Sequence, residues 1–416
     1  MMSNKLSVLS LVLFLTCTYI FSQTNRLTGS PYSLFGLGVG TNSNMGKNNA
    51  LGKGGYALYN PDFINNYNPA SYGTNTTNSF ILDTGFLVEV SSLENTNTQE
   101  NRIAGNFSSL GFSSNIDDKS TFGISITPFT DVGYSLIGIQ TNIEGSFDQF
   151  NSNIFGSGAL NDLRFTYGRT FFKNLRLGAN FSYLFGTIDE TEIIQTGISG
   201  LTVEESSNYR GVRLGVGLQY DIGSFLTYGF VTNLPTSLSG LQDREVEKSL
   251  ELTPSLVESE SEIELESFKI PLEINNGIRI NPWKNLFINL DHSITFWDST
   301  AQSDNVGEFV DQNVYSIGAE YFFDKNGFKY WEKIEFRAGM FHDTGYLRIN
   351  NENISSTGFS AGIGLPLGIR SKSFLNISVT NNSRGSTNGI LVDERINTIN
   401  INVSLKDFWF IKRKID

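Results

Sequence analysis

Leu175-Arg176-Leu177-Gly178-Ala179-Asn180-Phe181-Ser182-Tyr183-Leu184-Phe185-Gly186 places apolar side chains at Leu175, Leu177, Ala179, Phe181, Tyr183 and Phe185, with Arg, Gly, Asn or Ser at most of the positions between. Successive side chains of an extended strand point to opposite faces, so one face of this segment is oily and the other polar. The same split recurs in Val212, Leu214, Val216, Leu218 and Tyr220, in Leu286, Ile288, Leu290, Ile294 and Phe296, and in Ile399, Ile401, Val403 and Leu405. Alternation alone also fits a soluble sandwich, so length decides. Soluble strands average ~5–6 residues, whereas a tilted strand needs ~9–11 to cross a bilayer, and these segments fit the second.

In hydrocarbon each unpaired backbone N–H or C=O costs several kcal/mol, so a membrane sheet must close on itself. The expected fold is therefore all-β, a transmembrane antiparallel β-barrel over 79–416. Fifteen segments alternate, among them 119–134, 136–146, 160–172 and 174–189. Bacterial barrels close with even numbers, so about 14 strands are expected. Trp283, Trp297, Trp331 and Trp409 fall near segment ends, as an aromatic girdle requires.

Composition narrows the function classes. With 33 Phe and 16 Tyr among 416 residues the chain folds, and a net charge of −12 argues against nucleic acid as a partner. Lys5 followed by the apolar run Leu6–Phe21 reads as a signal peptide over 1–22, which implies export and, with the barrel, the outer membrane of a Gram-negative bacterium. Thr16 ahead of Cys17 disfavours a lipidation site, and one cysteine permits no internal disulfide. His292 and His342, the only two histidines, both sit on the apolar parity of their segments. No Ser/His/acid set can be assembled from them, so no enzyme and no cofactor is expected.

Glu258, Glu260, Glu262, Glu264 and Glu266 share a parity with Phe268, Ile270, Leu272, Ile274, Ile278 and Ile280. On one strand this face would leave water for lipid part-way along, with 238–266 as a long, irregular, acidic extracellular loop. The opposite, polar parity points into the lumen and carries Arg176, Arg213, Arg279, Arg337, Glu273, Asp291 and Glu335, whose mixed signs suggest ion pairs filling the barrel. Residues 23–78 lack alternation and are rich in Gly, Asn and Tyr; a lumen of about 14 strands is wide enough to hold them as a hatch.

The motifs Pro31-Tyr32-Ser33-Leu34-Phe35-Gly36-Leu37-Gly38, Met45-Gly46 and Asn68-Pro69-Ala70-Ser71-Tyr72 resemble the N-terminal hatch of the FadL/TodX-like outer-membrane proteins, the long-chain fatty-acid transporter family. Leu405-Lys406-Asp407-Phe408-Trp409-Phe410-Ile411-Lys412-Arg413-Lys414 resembles the closing strand and basic tail of one branch of that superfamily. In Thr127-Pro128-Phe129-Thr130-Asp131-Val132-Gly133, Pro128 lacks a ladder donor and interrupts the third strand. The resemblance implies that Gly36, Gly38, Asn68, Pro69 and Ala70 belong to the hatch. It also implies that the break at Pro128, Phe129 and Gly133 is a lateral opening, through which hydrophobic small molecules such as long-chain fatty acids pass to membrane lipid. The alternative expectation is a FadL-like scaffold subunit in an outer-membrane secretion or protein-assembly complex, with other outer-membrane proteins as partners.

Overall fold

The computed structural model describes residues 29–41, 45–73, 78–142, 149–250, 253–304, 307–325, 327–369 and 371–408. The leader, Cys17, Trp409 and the basic tail lie outside the described residues. Sixteen strands carry the architecture. The first eight are β1 (Ser79–Glu94), β2 (Gln99–Asn115), β3 (Ser120–Asn142), β4 (Gln149–Phe171), β5 (Leu175–Thr196), β6 (Ser199–Ile222), β7 (Leu226–Asn233) and β8 (Thr236–Leu250). The rest are β9 (Thr253–Ile270), β10 (Glu273–Trp283), β11 (Leu286–Thr295), β12 (Gln312–Phe322), β13 (Glu335–Asp343), β14 (Ser356–Pro366), β15 (Phe374–Arg384) and β16 (Asp393–Phe408).

Fourteen of these strands form a closed antiparallel cylinder: each pairs with its neighbour, β7 with β10, and β16 returns to β1 from Ser79↔Phe408 to Glu94↔Asp393. Side chains alternate as the sequence requires. Ile317, Val379 and Ile401 face outward, while Ser378 and Asn402 are buried inside. The segments 119–134 and 136–146 are one strand, β3, whose register shifts between Leu136↔Ile154 and Ile139↔Ser152 with Gly138 at φ 74°. A glycine bulge there disrupts alternation without ending the ladder, which turns fifteen segments into fourteen strands.

The expectation of an irregular loop at 238–266 is corrected: β8 and β9 form a paired, bulged hairpin standing beyond the cylinder, with β8 also paired to the upper part of β6. Pro235 and Pro271 interrupt its two arms at one level, between the pairs Asn233↔Glu273 and Thr236↔Ile270. Proline cannot donate to the ladder, so the arms bend there. The single Glu-to-Ile face is corrected as well. Register shifts at Leu256/Glu258, Glu260/Ile263 and Leu265/Phe268 change which side each residue takes, and Ile270 turns inward with Phe268 beside it. Ile278 keeps its lipid-facing position.

Trp283 and Trp331 lie exposed at the short-turn end of the barrel, as a girdle predicts. Trp297 does not. It stacks at 5.2 Å on Tyr346 and 5.5 Å from Phe309, over the hatch. An Ile317→Arg substitution near the middle of β12 is expected to cost about 2–4 kcal/mol in urea unfolding in liposomes, whereas Glu260→Arg on the hairpin should leave stability unchanged. Equal effects would contradict the assignment of faces.

Candidate functional site: a plugged lumen and a seam in the wall

The hatch is held by close backbone approach. On the inner faces of β5, β6, β7 and β13, a Cβ at Gly178 would stand 2.3 Å from the Pro69 carbonyl, at Gly217 2.2 Å from Asn68 Oδ1, at Gly229 2.3 Å from the Tyr56 carbonyl, and at Gly339 2.4 Å from the Gly52 amide. Only glycine leaves room at these points. Asn68 is fully buried and caps the short 3-10 turn Pro69–Tyr72, accepting from the Ala70 amide at 2.9 Å and donating to the Tyr56 carbonyl at 2.7 Å. Asp291 accepts the amides of Gly55 and Tyr56, each at 3.0 Å, and fixes the hatch to β11.

Arg176, Arg213, Asp291, Glu335 and Arg337 are buried and Glu273 and Arg279 half-buried, and all but Asp291 are ion-paired. Arg176 forms a two-pronged pair with Asp221, at 2.7 Å on each oxygen, and lies 4.1 Å from the Tyr59 ring. Arg337 binds Glu335. Arg213 binds Glu273 at 3.3 Å and donates to the carbonyls of Leu234 and Pro271 at 3.2 and 3.0 Å, so it satisfies backbone that the two prolines leave without ladder partners. The centre of the charge network was missed from sequence. Glu320, fully buried on β12, binds Lys47 of the hatch at 2.7 Å, Arg279 at 3.0 Å and Arg337 at 3.7 Å. Burial pushes the Lys47 ammonium down to about 8 against the pull of Glu320 and Glu335. The parity of β12 contained the signal for Glu320; nothing in the hatch pattern marked Lys47.

Above the hatch, the connections after β11 and β13 fold over as a lid. Gly307–Phe309, Leu347–Ile349 and Glu352–Asn353 form a small sheet, and Phe309, Leu347, Ile349 and Ile354 pack on Tyr32 and Phe35. Tyr346 donates to the Gly38 carbonyl at 2.8 Å and Tyr32 to that of Val392 at 2.7 Å. This lid also went unread in the sequence, because its residues form no long alternating run.

The wall has one break among the described residues of the third strand. β2 and β3 pair only from Asn115↔Thr121 to Leu110↔Ile126; beyond that point β3 stays on β4, with a register shift between Pro128 and Thr130. The hatch takes the place of β2. Val39 and Gly40 pair with Asp131 and Thr130, Thr41 donates to the Phe129 carbonyl at 3.0 Å and the Pro128 carbonyl at 2.6 Å, and the Gly133 amide donates to Ser33 at 3.0 Å. Gly36 and Gly38 bring the hatch in at φ 63° and 92°, a region that favours glycine. Leu37, Leu160, Leu184, Leu238 and Ile270 then fill the space behind, with Phe129 against them. Beside the hatch at Phe63, Ile64, Tyr72 and Ile81 the cavity measures about 20 Å³. A larger concavity of about 450 Å³ is bounded mostly by outward side chains, Ile278, Leu290, Ile317 and Met340 among them.

Glu320→Ala would leave Lys47, Arg279 and Arg337 buried around a missing carboxylate. It is expected to destabilise the folded barrel by about 3–5 kcal/mol, read as a lower temperature for loss of the compact, fast-migrating form on electrophoresis. A wild-type transition temperature would contradict the central role of Glu320.

The fold is that of the FadL/TodX-like outer-membrane channels. The toluene transporter TbuX of Ralstonia pickettii superimposes with a TM-score of 0.61 at 16% identity, covering 88% of this chain and 98% of that one. The P. putida toluene transporter TodX gives 0.60 at 14% identity, covering 90% and 99%. A Pseudomonas aeruginosa FadL homologue gives 0.54 at 12%, covering 87% and 98%. No curated protein matches the chain. The barrel resides in the outer membrane. The BamG family model matches residues 2–416, and the chain therefore belongs to the BamG family.

Proposed function

We propose that this chain is a sealed barrel serving as a scaffold subunit of an outer-membrane protein assembly. The observation that carries this reading is the filled lumen. Where the hatch meets the wall at Phe63, Ile64, Tyr72 and Ile81 the gap is about 20 Å³, far below the ~300–1,000 Å³ of a usual small-molecule site. The lumen is occupied by the hatch, by the Glu320 cluster and by the pairs of Arg176 and Arg213. Such a barrel offers partners its surfaces: the lipid-facing wall, and the β8–β9 hairpin with Glu258, Glu260, Glu264 and Glu266 in water. Its role needs no catalytic group.

A second reading has its own observation. The end of β2–β3 pairing at Leu110↔Ile126, beside Phe129 and the apolar cluster of Leu37, Leu160 and Leu184, is where a lateral exit would lie. Passive uptake of hydrophobic small molecules, long-chain fatty acids among them, would then require the hatch to release its bonds at Phe129, Pro128 and Gly133. The likeness to toluene transporters supports this reading at the level of the fold.

Two measurements on the tagged chain separate the readings. Extraction from its own outer membrane in mild detergent should yield it in fixed proportion with other outer-membrane proteins, and the isolated barrel should show no saturable binding of a labelled long-chain fatty acid. A chain that elutes alone and binds the fatty acid saturably would establish transport instead.

A further inference from the structure

The short turns of such a barrel face the periplasm, and here their charge is spread unevenly. On one half of the rim, the turns after β2, β4 and β6 carry Lys119 and Lys173 against Asp117 and Asp118. On the other half, the successive turns after β10, β12 and β14 carry, among the described residues, Lys284, Lys325, Lys329, Lys333 and Lys372 against Asp324 and Glu332. These three turns are tied to one another. Asn285 donates to the Phe323 carbonyl, and the Lys333 ammonium to the Ile369 carbonyl. The middle turn is also closed on itself: the Asp324 amide donates to the Glu332 carbonyl at 2.8 Å, and the Glu332 carboxylate accepts the Lys329 amide at 3.1 Å.

This turn leans on the outside of the wall. Trp331 meets Phe323 edge-on at 5.2 Å, and Phe323 meets Tyr321 at 5.2 Å and Phe336 at 6.3 Å; all four rings are exposed, and Tyr321 and Phe323 share the outward parity of Ile317. On the same turn Phe328 is 93% exposed, and Lys329 stands 5.8 Å from the Trp331 ring. A bonded turn that holds a phenyl ring in the open, next to tryptophan and lysine, has the composition of a membrane–water boundary.

We propose that this part of the rim binds the headgroup of an anionic phospholipid in the periplasmic leaflet, with Lys329 and Lys333 on its phosphate and Phe328 among its acyl chains. An ammonium has three donors, so Lys333 can hold the Ile369 carbonyl and a phosphate oxygen together. An acidic periplasmic protein would match the lysines alone. A phospholipid matches the lysines and the rings at once, because the patch continues the lipid-facing wall through Trp331, Phe323 and Phe336. The site follows from the barrel's place in the membrane and is independent of the scaffold and transport readings.

Native mass spectrometry of the delipidated full-length barrel, offered phosphatidylglycerol and phosphatidylcholine in equal amounts, tests this. The wild-type chain should retain phosphatidylglycerol at least about tenfold over phosphatidylcholine. A Lys329→Gln/Lys333→Gln chain should lose most of that preference, since each lysine at an anionic lipid surface contributes about fivefold. Lys119→Gln/Lys173→Gln, on the other half of the rim, should keep it. A photo-crosslinking residue at Phe328, used in intact outer membranes, should capture phospholipid. Equal retention of the two lipids, the same loss in both double variants or in neither, or capture at Phe328 of a protein or of the chain's own C-terminal tail in place of lipid would overturn the site.

Discussion

No backbone polar group can be left bare in hydrocarbon, and the architecture of this protein follows from that constraint. It requires closure, which the β1–β16 pairing provides. It also requires an answer wherever the ladder is interrupted. At Pro235 and Pro271 the answer is Arg213, whose guanidinium reaches the carbonyls of Leu234 and Pro271. At Pro128 it is the hatch, which pairs with β3 through Val39 and Gly40.

The interior obeys a related rule. Buried charge is tolerable when paired and hydrogen-bonded, and the lumen meets that condition by drawing the hatch into the network: Lys47 reaches Glu320, and the carboxylate of Asp291 takes two hatch amides. Glycines on the facing strands let hatch and wall approach to contact distance. The hatch is thus bound along its length by charge, by backbone and by the aromatic lid of Trp297, Phe309 and Tyr346.

Much of this was legible in the sequence because a membrane strand writes its environment at every second residue. The runs at Leu175–Phe185 and Ile399–Leu405 read as lipid-facing staves, and Arg176, Arg213, Arg337 and Glu335, read on the opposite parity, are buried. Pro128 marked the departure of β3 from β2 because proline lacks the ladder donor. Where periodicity fails, so did the reading. Bulges at Glu260/Ile263 and Leu265/Phe268 shift parity, so Ile270 looked lipid-facing and is buried; the Gly138 bulge made one strand look like two. Lys47, Trp297 and Tyr346 act through contacts between segments distant in sequence, which no local pattern encodes.

The central claim is that the lumen is closed. Conductance of the purified barrel in a planar bilayer measures this most directly. The account predicts no stable ion current above the bare membrane, and a steady current that persists after the lid and hatch are shown by proteolysis to be intact would contradict it.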